Sequence, residues 1–227
     1  MKLPAEVPVM TLPHATLFPQ AMLPLYIFEP RYRQMLKDVL NANRMFAVAM
    51  QKPGCLREKP ATVAGLGVVR VSVGHKDGTS HLVLQGLTRV ELRETLRYKP
   101  YRVQRIQVLE TPPATGVAVE ALVLKVRELL AERLKLGLPL PFPTMRAKDC
   151  EEDAATCCSE MAAREILDYV GALRNPEHIA DLVSCALLRG ADRRQSILET
   201  LDLETRLRRL VLFLRAEIKE HGGDKHE

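Results

Sequence analysis

Histidine, cysteine and acidic residues that could bind a metal or act in catalysis are scattered along the 227-residue sequence. His75 and His81 flank a short turn and form the best candidate metal pair, but zinc needs three or four convergent ligands and no third lies close in sequence. The sequence also lacks the phosphate-binding glycine loop, the dinucleotide-binding glycine motif, the nucleophile elbow and the H-E-x-x-H motif. We therefore expect no metal, no cofactor and no enzyme activity.

The cysteines indicate reduced thiols rather than a disulfide framework, because they are odd in number and form no C-x-x-C pair. Cys157 and Cys158 are adjacent, so on a helix their side chains point about 100° apart and do not converge on one ligand. Neither a signal-peptide pattern nor an apolar run of membrane-spanning length is visible. We expect a cytoplasmic protein without a membrane partner.

Aromatic residues near the amino terminus form one candidate binding surface. Of the 5 Tyr and 5 Phe residues, four lie within the first 32 positions, and there is no Trp. Aromatic side chains supply much of the binding energy at protein interfaces, and charged residues follow them directly. The candidate peptide-binding residues are Phe18, Tyr26, Phe28, Glu29, Arg31 and Tyr32. The alternative is that the aromatic rings belong to the core and the charged groups pair within the chain.

A second candidate surface interleaves cations with tyrosines, a pattern that could contact phosphates while stacking bases. Its residues are Arg97, Tyr98, Lys99, Tyr101, Arg102 and Arg105. The alternative is a solvated strand whose charges prevent sheet-to-sheet association. The net charge of +5 does not by itself indicate nucleic-acid binding, because 33 basic and 28 acidic residues interleave along the chain.

The elements that must position these residues are mainly strands in the first half. Asp77-Gly78 supplies the turn of a hairpin, and Gly65, Gly67 and Gly86 within its strands mark bulges where a sheet curls. One helix begins at Pro30 and ends near Asn41. The expected strands are Val7–Leu12 (an edge strand or the first strand), Met45–Met50, Ala61–Val73, His81–Leu92 and Tyr101–Leu109. In the last of these, Val103 and, after a slip in the alternation, Ile106 and Val108 are expected to point inward.

The second half changes to helical periodicity after a proline-containing linker at residues 110–116. Helices are expected at 117–136 and 153–173, after Asn175-Pro176, after a capping box at Asp192–Gln195, and after Asp202. Leu212 and Phe213 widen the apolar stripe of the last helix, which makes self-association through that helix possible. We expect an α+β protein with a β-domain at 1–112 and an all-α helical bundle at 113–227.

Three sequence blocks resemble the amino-terminal substrate-binding domain family of Lon proteases. The first is LPHATLFP at Leu12–Pro19 with LPLYIFEPRYR at Leu23–Arg33, and the second is the hairpin that contains QGLTRV at Gln85–Val90. The third comprises Asn175-Pro176, Ile179–Asp181, Gln195–Glu199 and Leu203–Leu207. The resemblance covers nearly the whole chain. It implies a PUA-like curled β-sheet or pseudo-barrel followed by a helical bundle, which together recognise unfolded or degron-bearing polypeptides.

Two departures limit what the resemblance implies. The sequence ends at Glu227, whereas Lon proteases continue into ATPase and Ser-Lys protease domains, so we expect neither ATP hydrolysis nor proteolysis. Gln20 stands where the family pattern usually has glycine, which leaves the turn before Met22 open to another conformation. We expect a non-catalytic module whose partners are unfolded or extended polypeptides, or one specific protein. RNA binding by residues 97–105 is the alternative.

Overall fold

The computed structural model describes residues 2–55, 58–112, 114, 116–137 and 165–223. The chain divides into two compact units, of which the first comprises Met1–Glu110 with Gly190–Glu199 and the second comprises Thr111–Arg189 with Thr200–Glu227. The sequence placed the division at residue 112 and put all later helices in one bundle. In the structure, Gly190–Glu199 instead groups with the first unit.

The first unit is built on a six-stranded sheet in the order β2-β5-β4-β3-β1-β6, in which β6 also pairs with β5 and closes the sheet on itself. Among the described strands, only the β1–β3 pair is parallel. One helix, α1 (Pro30–Leu40), follows β2. This arrangement confirms the expected curled sheet. The strands are β1 (Glu6–Leu12), β2 (Met22–Ile27), β3 (Met45–Met50), β4 (Val63–Gly74), β5 (Ser80–Arg97) and β6 (Arg102–Leu109).

Strand β1 is an interior strand, so the edge-strand alternative was wrong. It pairs with β6 through residues 6–9 and with β3 through residues 9–12. Proline has no N–H to donate. Pro8 lies before the residues of β1 that pair with β3, so the pairing with β3 does not need a hydrogen bond from this position. The sequence also missed β2, which pairs with β5 through Met22–Ile27.

Two glycines allow a loop to lie directly against the sheet. A Cβ atom on Gly65 would lie 2.0 Å from the carbonyl oxygen of Leu17, and one on Gly86 would lie 1.9 Å from that of Phe18. Gln20 N–H donates to the Gly86 carbonyl at 2.9 Å, which anchors the same loop. The register shifts beside Gly67, where Leu87 is left out of the pairing between β4 and β5. The glycines therefore mark both the expected bulge and a close backbone approach.

Gln20 adopts the left-handed backbone conformation, with φ of 65°. Glycine is favoured in this region because a Cβ atom makes it unfavourable for other residues. The chain thus keeps a glycine-type turn at this position despite carrying a side chain there.

The core of the first unit consists of two clusters on opposite sides of β1 and β3. One lies under α1 and includes Met10, Tyr32, Met35 and Phe46. The other includes Val7, Val9, Ala47, Leu66, Val90 and Ile106. All six residues of β3 are buried, which explains its uninterrupted apolar sequence.

Only some of the β6 side chains that were expected to point inward do so. Ile106 is buried and Val103 packs against the cluster under α1. Val108 is 38% exposed, so its expected inward position was wrong. It stands next to the last residue of β6, and the buried residue that shares the inward face is the polar Gln104. Alternation alone could not show where the core ends along the strand.

The second unit contains helices α2 (Val117–Lys135), α3 (described over residues 165–172), α4 (Pro176–Leu187) and α6 (Leu203–Gly223). The Asn175 side chain accepts hydrogen bonds from the N–H groups of Glu177 and His178, which confirms the expected N-cap of α4. Residues 153–164 of the second expected helix lie outside the described part, as do Cys157 and Cys158.

Helix α5 (Ala191–Glu199), in the first unit, begins one residue earlier than the expected capping box. Asp192 stands in the first turn and Gly190 precedes the helix with φ of 84°. The Gln195 side-chain amide donates to the Val63 carbonyl at 2.9 Å, which ties α5 to β4. The capping-box assignment was therefore wrong, because Gln195 makes a tertiary contact.

Candidate functional site

An apolar surface covers the outer face of β2, β5 and β4. Alternation along β2 buries Ile27 and leaves Met22, Pro24 and Tyr26 exposed. Pro24 lies opposite Val83 and Tyr26 lies opposite His81, and these β5 residues pair in turn with Val71 and Val73 of β4. We call this the β2 surface, with the members Met22, Pro24, Tyr26, Phe28, Val71, Val73 and Val83.

Aromatic rings line one end of the β2 surface. The ring of Tyr26 stacks on Phe28 at 5.8 Å between centroids and on His81 at 4.7 Å. Tyr26 is 49% exposed and Phe28 is 59% exposed. A shallow groove of about 440 Å³ runs beside Tyr26, and its walls include Val71, Val73 and Val83. Exposed apolar surface of this kind marks interaction sites in soluble proteins.

Two of the six candidate peptide-binding residues are core residues. Phe18 is 0% exposed and Tyr32 is 4% exposed. The Tyr32 hydroxyl donates to the carbonyl of Thr11 and accepts from its N–H, both at 3.2 Å. Burial raises the pKa of Tyr32 to about 12, so the hydroxyl stays neutral. These two rings stabilise the fold and are not available to a ligand.

The charged candidates at the start of α1 pair within the chain. The Arg31 guanidinium donates to Glu29 at 2.9 Å and also to the carboxylate of Glu58. It lies 4.4 Å from the centre of the Tyr32 ring. Burial opposes the charge of Arg31, but the hydrogen bonds to Glu58 and Glu29 and the nearby acidic groups together raise its pKa. Arg31 is therefore held in place by its own neighbours.

The basic segment does not form a continuous stripe. Arg97 stacks on the ring of Tyr101 at 4.6 Å, and Arg102 stacks on Tyr98 at 5.1 Å. Arg105 pairs with Glu94 at 3.1 Å and with Glu6 at 3.7 Å.

Of the two tyrosines in the segment, only Tyr98 faces solvent. Tyr101 is 5% exposed and donates from its hydroxyl to Asp38 at 2.7 Å. Burial first and the Asp38 hydrogen bond second raise the pKa of Tyr101. A base could therefore stack on one ring of the segment and not on two, and the geometry does not support the RNA-binding alternative.

Parts of both candidate sets meet at a polar cavity of about 720 Å³ in the first unit. Arg31 and Tyr32 line this cavity together with Tyr98 and Arg102. The remaining polar wall residues could not be recognised from the sequence, because they belong to segments far apart along the chain. These residues are Lys52, Glu58, Lys59, Thr62, Thr95 and Gln104.

The two hairpin histidines contact each other, with 2.7 Å between His75 Nε2 and His81 Nδ1. Within the described residues, no group of three His, Cys, Asp or Glu side chains could hold a metal ion. No helix in the same part of the chain is long and apolar enough to span a membrane.

Sequence comparisons show which proteins the chain is similar to. The family described as the ATP-dependent protease La (LON) substrate-binding domain matches residues 6–216. The Lon protease of Dictyoglomus thermophilum is 24% identical over 96% of this chain and 25% of the relative. The Lon protease of Anaeromyxobacter dehalogenans is 28% identical over 93% of this chain and 23% of the relative. The chain thus spans about a quarter of the length of these relatives.

Solved structures share the fold. The N-terminal domain of the Mycobacterium avium complex Lon protease superposes with a TM-score of 0.67 at 19% identity, over 92% of this chain and 98% of that domain. A Lon N-terminal domain protein from Xanthomonas campestris gives a TM-score of 0.57 at 18% identity, with the same coverage of both chains.

Proposed function

Because the chain belongs to the family of Lon substrate-binding domains, we propose that it binds extended or unfolded polypeptides through the β2 surface. The observation that carries this proposal is the continuous set of exposed apolar side chains across three strands. Met22, Tyr26 and Phe28 are each about half exposed, at 56%, 49% and 59%. Unfolded chains expose apolar side chains that such a surface can cover, which removes apolar area from water on both sides.

The bound polypeptide lies on the face of the strands in this proposal, and does not extend the sheet. Among the described strands, β2 pairs only with β5, so its other edge could in principle accept an added strand. Pro24 stands in the middle of β2 and has no N–H to donate. A face lined by Tyr26, Phe28 and Val73 offers side-chain contacts that do not depend on that edge.

A binding role without chemistry fits the residues at this surface. Besides the Tyr26 phenol, the titratable group beside this surface is His81, which is stacked on Tyr26 and hydrogen-bonded to His75. No carboxylate or cysteine belongs to the β2 surface as defined. We propose that any action on the bound polypeptide takes place outside the described residues.

The proposal is tested by capture of a permanently unfolded chain, such as reduced and carbamidomethylated ribonuclease A, with folded ribonuclease A for comparison. The double variant Tyr26→Ser with Phe28→Ser should weaken binding of the unfolded form at least about fivefold, because two exposed rings are lost. Both positions are half exposed, so the fold should persist. Tyr32→Ala is unsuitable because that ring is buried.

A matched control removes two exposed apolar residues from the second unit. Val117 is 82% exposed and Leu124 is 64% exposed. The double variant Val117→Ser with Leu124→Ser should bind like the unaltered protein. Equal weakening by both double variants, or no capture by the unaltered protein, would contradict the assignment of the β2 surface.

A further inference from the structure

The polar cavity of the first unit carries an excess of positive charge. Its carboxylate, Glu58, already pairs with Arg31. The Lys52 ammonium contacts only a neutral oxygen, that of the Thr62 hydroxyl, at 3.3 Å. Arg102 donates to the backbone carbonyl of Glu58 at 3.0 Å. Among the described residues, Lys52, Lys59 and Arg102 have no carboxylate partner, so the cavity favours an anion.

The fold holds two of these cations close together. The backbone N–H of Lys52 donates to the backbone carbonyl of Lys59 at 2.8 Å, and the neighbouring residues Gln51 and Pro60 form an antiparallel β-bridge. Both lysines therefore stand at the base of one loop, where the chain leaves β3 and returns toward β4. Arg102, at the start of β6, donates to the carbonyl of Glu58, the residue before Lys59, and is packed on the Tyr98 ring at 5.1 Å. The cavity wall therefore gathers these three cations from two separate segments of the chain.

Two buried polar atoms of the wall have unused hydrogen-bonding capacity. Arg102 Nε and Gln104 Oε1 are both buried without a hydrogen-bond partner in the structure. Gln104 as a whole is 5% exposed. Buried polar groups in native proteins are nearly always satisfied, so each exception calls for an explanation. Here one donor and one acceptor of residues in the cavity wall make no hydrogen bond to a described protein group.

The size and the apolar surface of the cavity indicate more than a single ion. A volume of about 720 Å³ lies within the range of sites for small organic ligands or a few residues of peptide. The ring of Tyr98, which lines the cavity, is 67% exposed. Carboxylate groups would meet Lys52, Lys59 and Arg102, while carbon chains pack on Tyr98.

We propose that this cavity is a second binding site, separate from the β2 surface, and that it takes the carboxylate side chains of an acidic polypeptide segment. The choice of a polypeptide as the ligand rests on the proposed function. The charge and the volume do not depend on it.

Calorimetric titration with an acetylated, amidated triglutamate peptide tests the site, with the corresponding triglutamine peptide for comparison. The triglutamate peptide should bind and the triglutamine peptide should not. The double variant Lys52→Gln with Lys59→Gln should weaken binding roughly tenfold, because charge-assisted hydrogen bonds are lost. Lys37→Gln with Lys76→Gln changes the net charge equally at exposed positions outside the cavity wall, and should have little effect.

Three results would overturn the site: absence of triglutamate binding, equal weakening by the two lysine variants, or citrate binding as tightly as the peptide. Citrate carries three carboxylates without a peptide backbone, so equal binding would indicate a small organic acid as the ligand. Capture of unfolded ribonuclease A by the Lys52→Gln with Lys59→Gln variant should be unchanged. If the unaltered protein captures unfolded ribonuclease A but does not bind the triglutamate peptide, only the cavity site is overturned. If the unaltered protein fails to capture unfolded ribonuclease A, the proposed function is overturned.

Discussion

Single residues show why aromatic content near the amino terminus did not by itself define a binding surface. Tyr26 and Tyr32 are six positions apart, yet Tyr26 is half exposed and Tyr32 is buried against Thr11. Phe18 and Phe28 differ in the same way. Whether a ring faces solvent depends on the element and the face that carries it, and two rings of the expected four remain for binding.

Gln20 provides a test of backbone strain at the residue scale. Gln20→Gly should raise the free energy of unfolding by about 0.5 to 1 kcal/mol, because glycine adopts the left-handed conformation without the penalty of a Cβ atom. Urea denaturation of the purified chain measures the change. Gln20→Ala keeps the Cβ atom and should give no gain. A stability increase with alanine as large as that with glycine would show that the side chain, and not the backbone conformation, causes the effect.

At the scale of elements, the long hairpin of β4 and β5 organises the first unit. Strand β5 pairs with β2 through residues 80–85 and with β6 through residues 89–97, while β4 pairs along its other edge. Strand β5 therefore contributes to the β2 surface near its start, and it closes the sheet by pairing with β6 near its end. The glycines in this hairpin let the loop at residues 17–18 lie against it.

Gly86→Ala should lower the free energy of unfolding by about 2 to 4 kcal/mol, because the new Cβ atom would meet a backbone oxygen and the loop must move. A Cβ atom there would lie 1.9 Å from the Phe18 carbonyl oxygen. Gly74→Ala is a control on the same hairpin, since its nearest neighbour is Ser80 Oγ at 3.9 Å. Chemical denaturation of both variants provides the measurement. Similar stability of the two would contradict the close approach at Gly86.

At the scale of the whole molecule, the two units achieve burial by different means. The first buries apolar residues on both sides of its central strands. The second buries ion pairs together with its leucines: Arg206 pairs with Asp181 at 3.2 Å and Arg133 pairs with Glu217 at 3.2 Å. Self-association through α6 stays a prediction, for which the 62% exposure of Leu212 leaves an apolar contact available.

Arg206→Met should lower the stability of the second unit by about 3 to 5 kcal/mol, because a buried carboxylate loses its guanidinium partner. Asp181 is 1% exposed, and Arg206 also donates to the carbonyls of Thr200 and Leu201. Loss of the helical circular dichroism signal at lower urea concentration reports the effect. Arg208→Met on the same helix removes an exposed pair with Glu204, and should cost less than about 0.5 kcal/mol. Equal losses would contradict a special role for the buried pair.

Local sequence patterns predicted the family and most of the described elements, with β2 as an exception. Hydrophobic alternation, the Asp77-Gly78 turn and the caps at Asn175 and Asp202 depend on neighbouring residues, so local physics is enough to predict them. The glycines of the hairpin likewise predicted a curled sheet. The tertiary structure alone decided which aromatic rings are exposed and which residues share the cavity. Lys52 and Arg102 meet there because distant strands become neighbours when the sheet closes, and no local pattern in a sequence records that pairing.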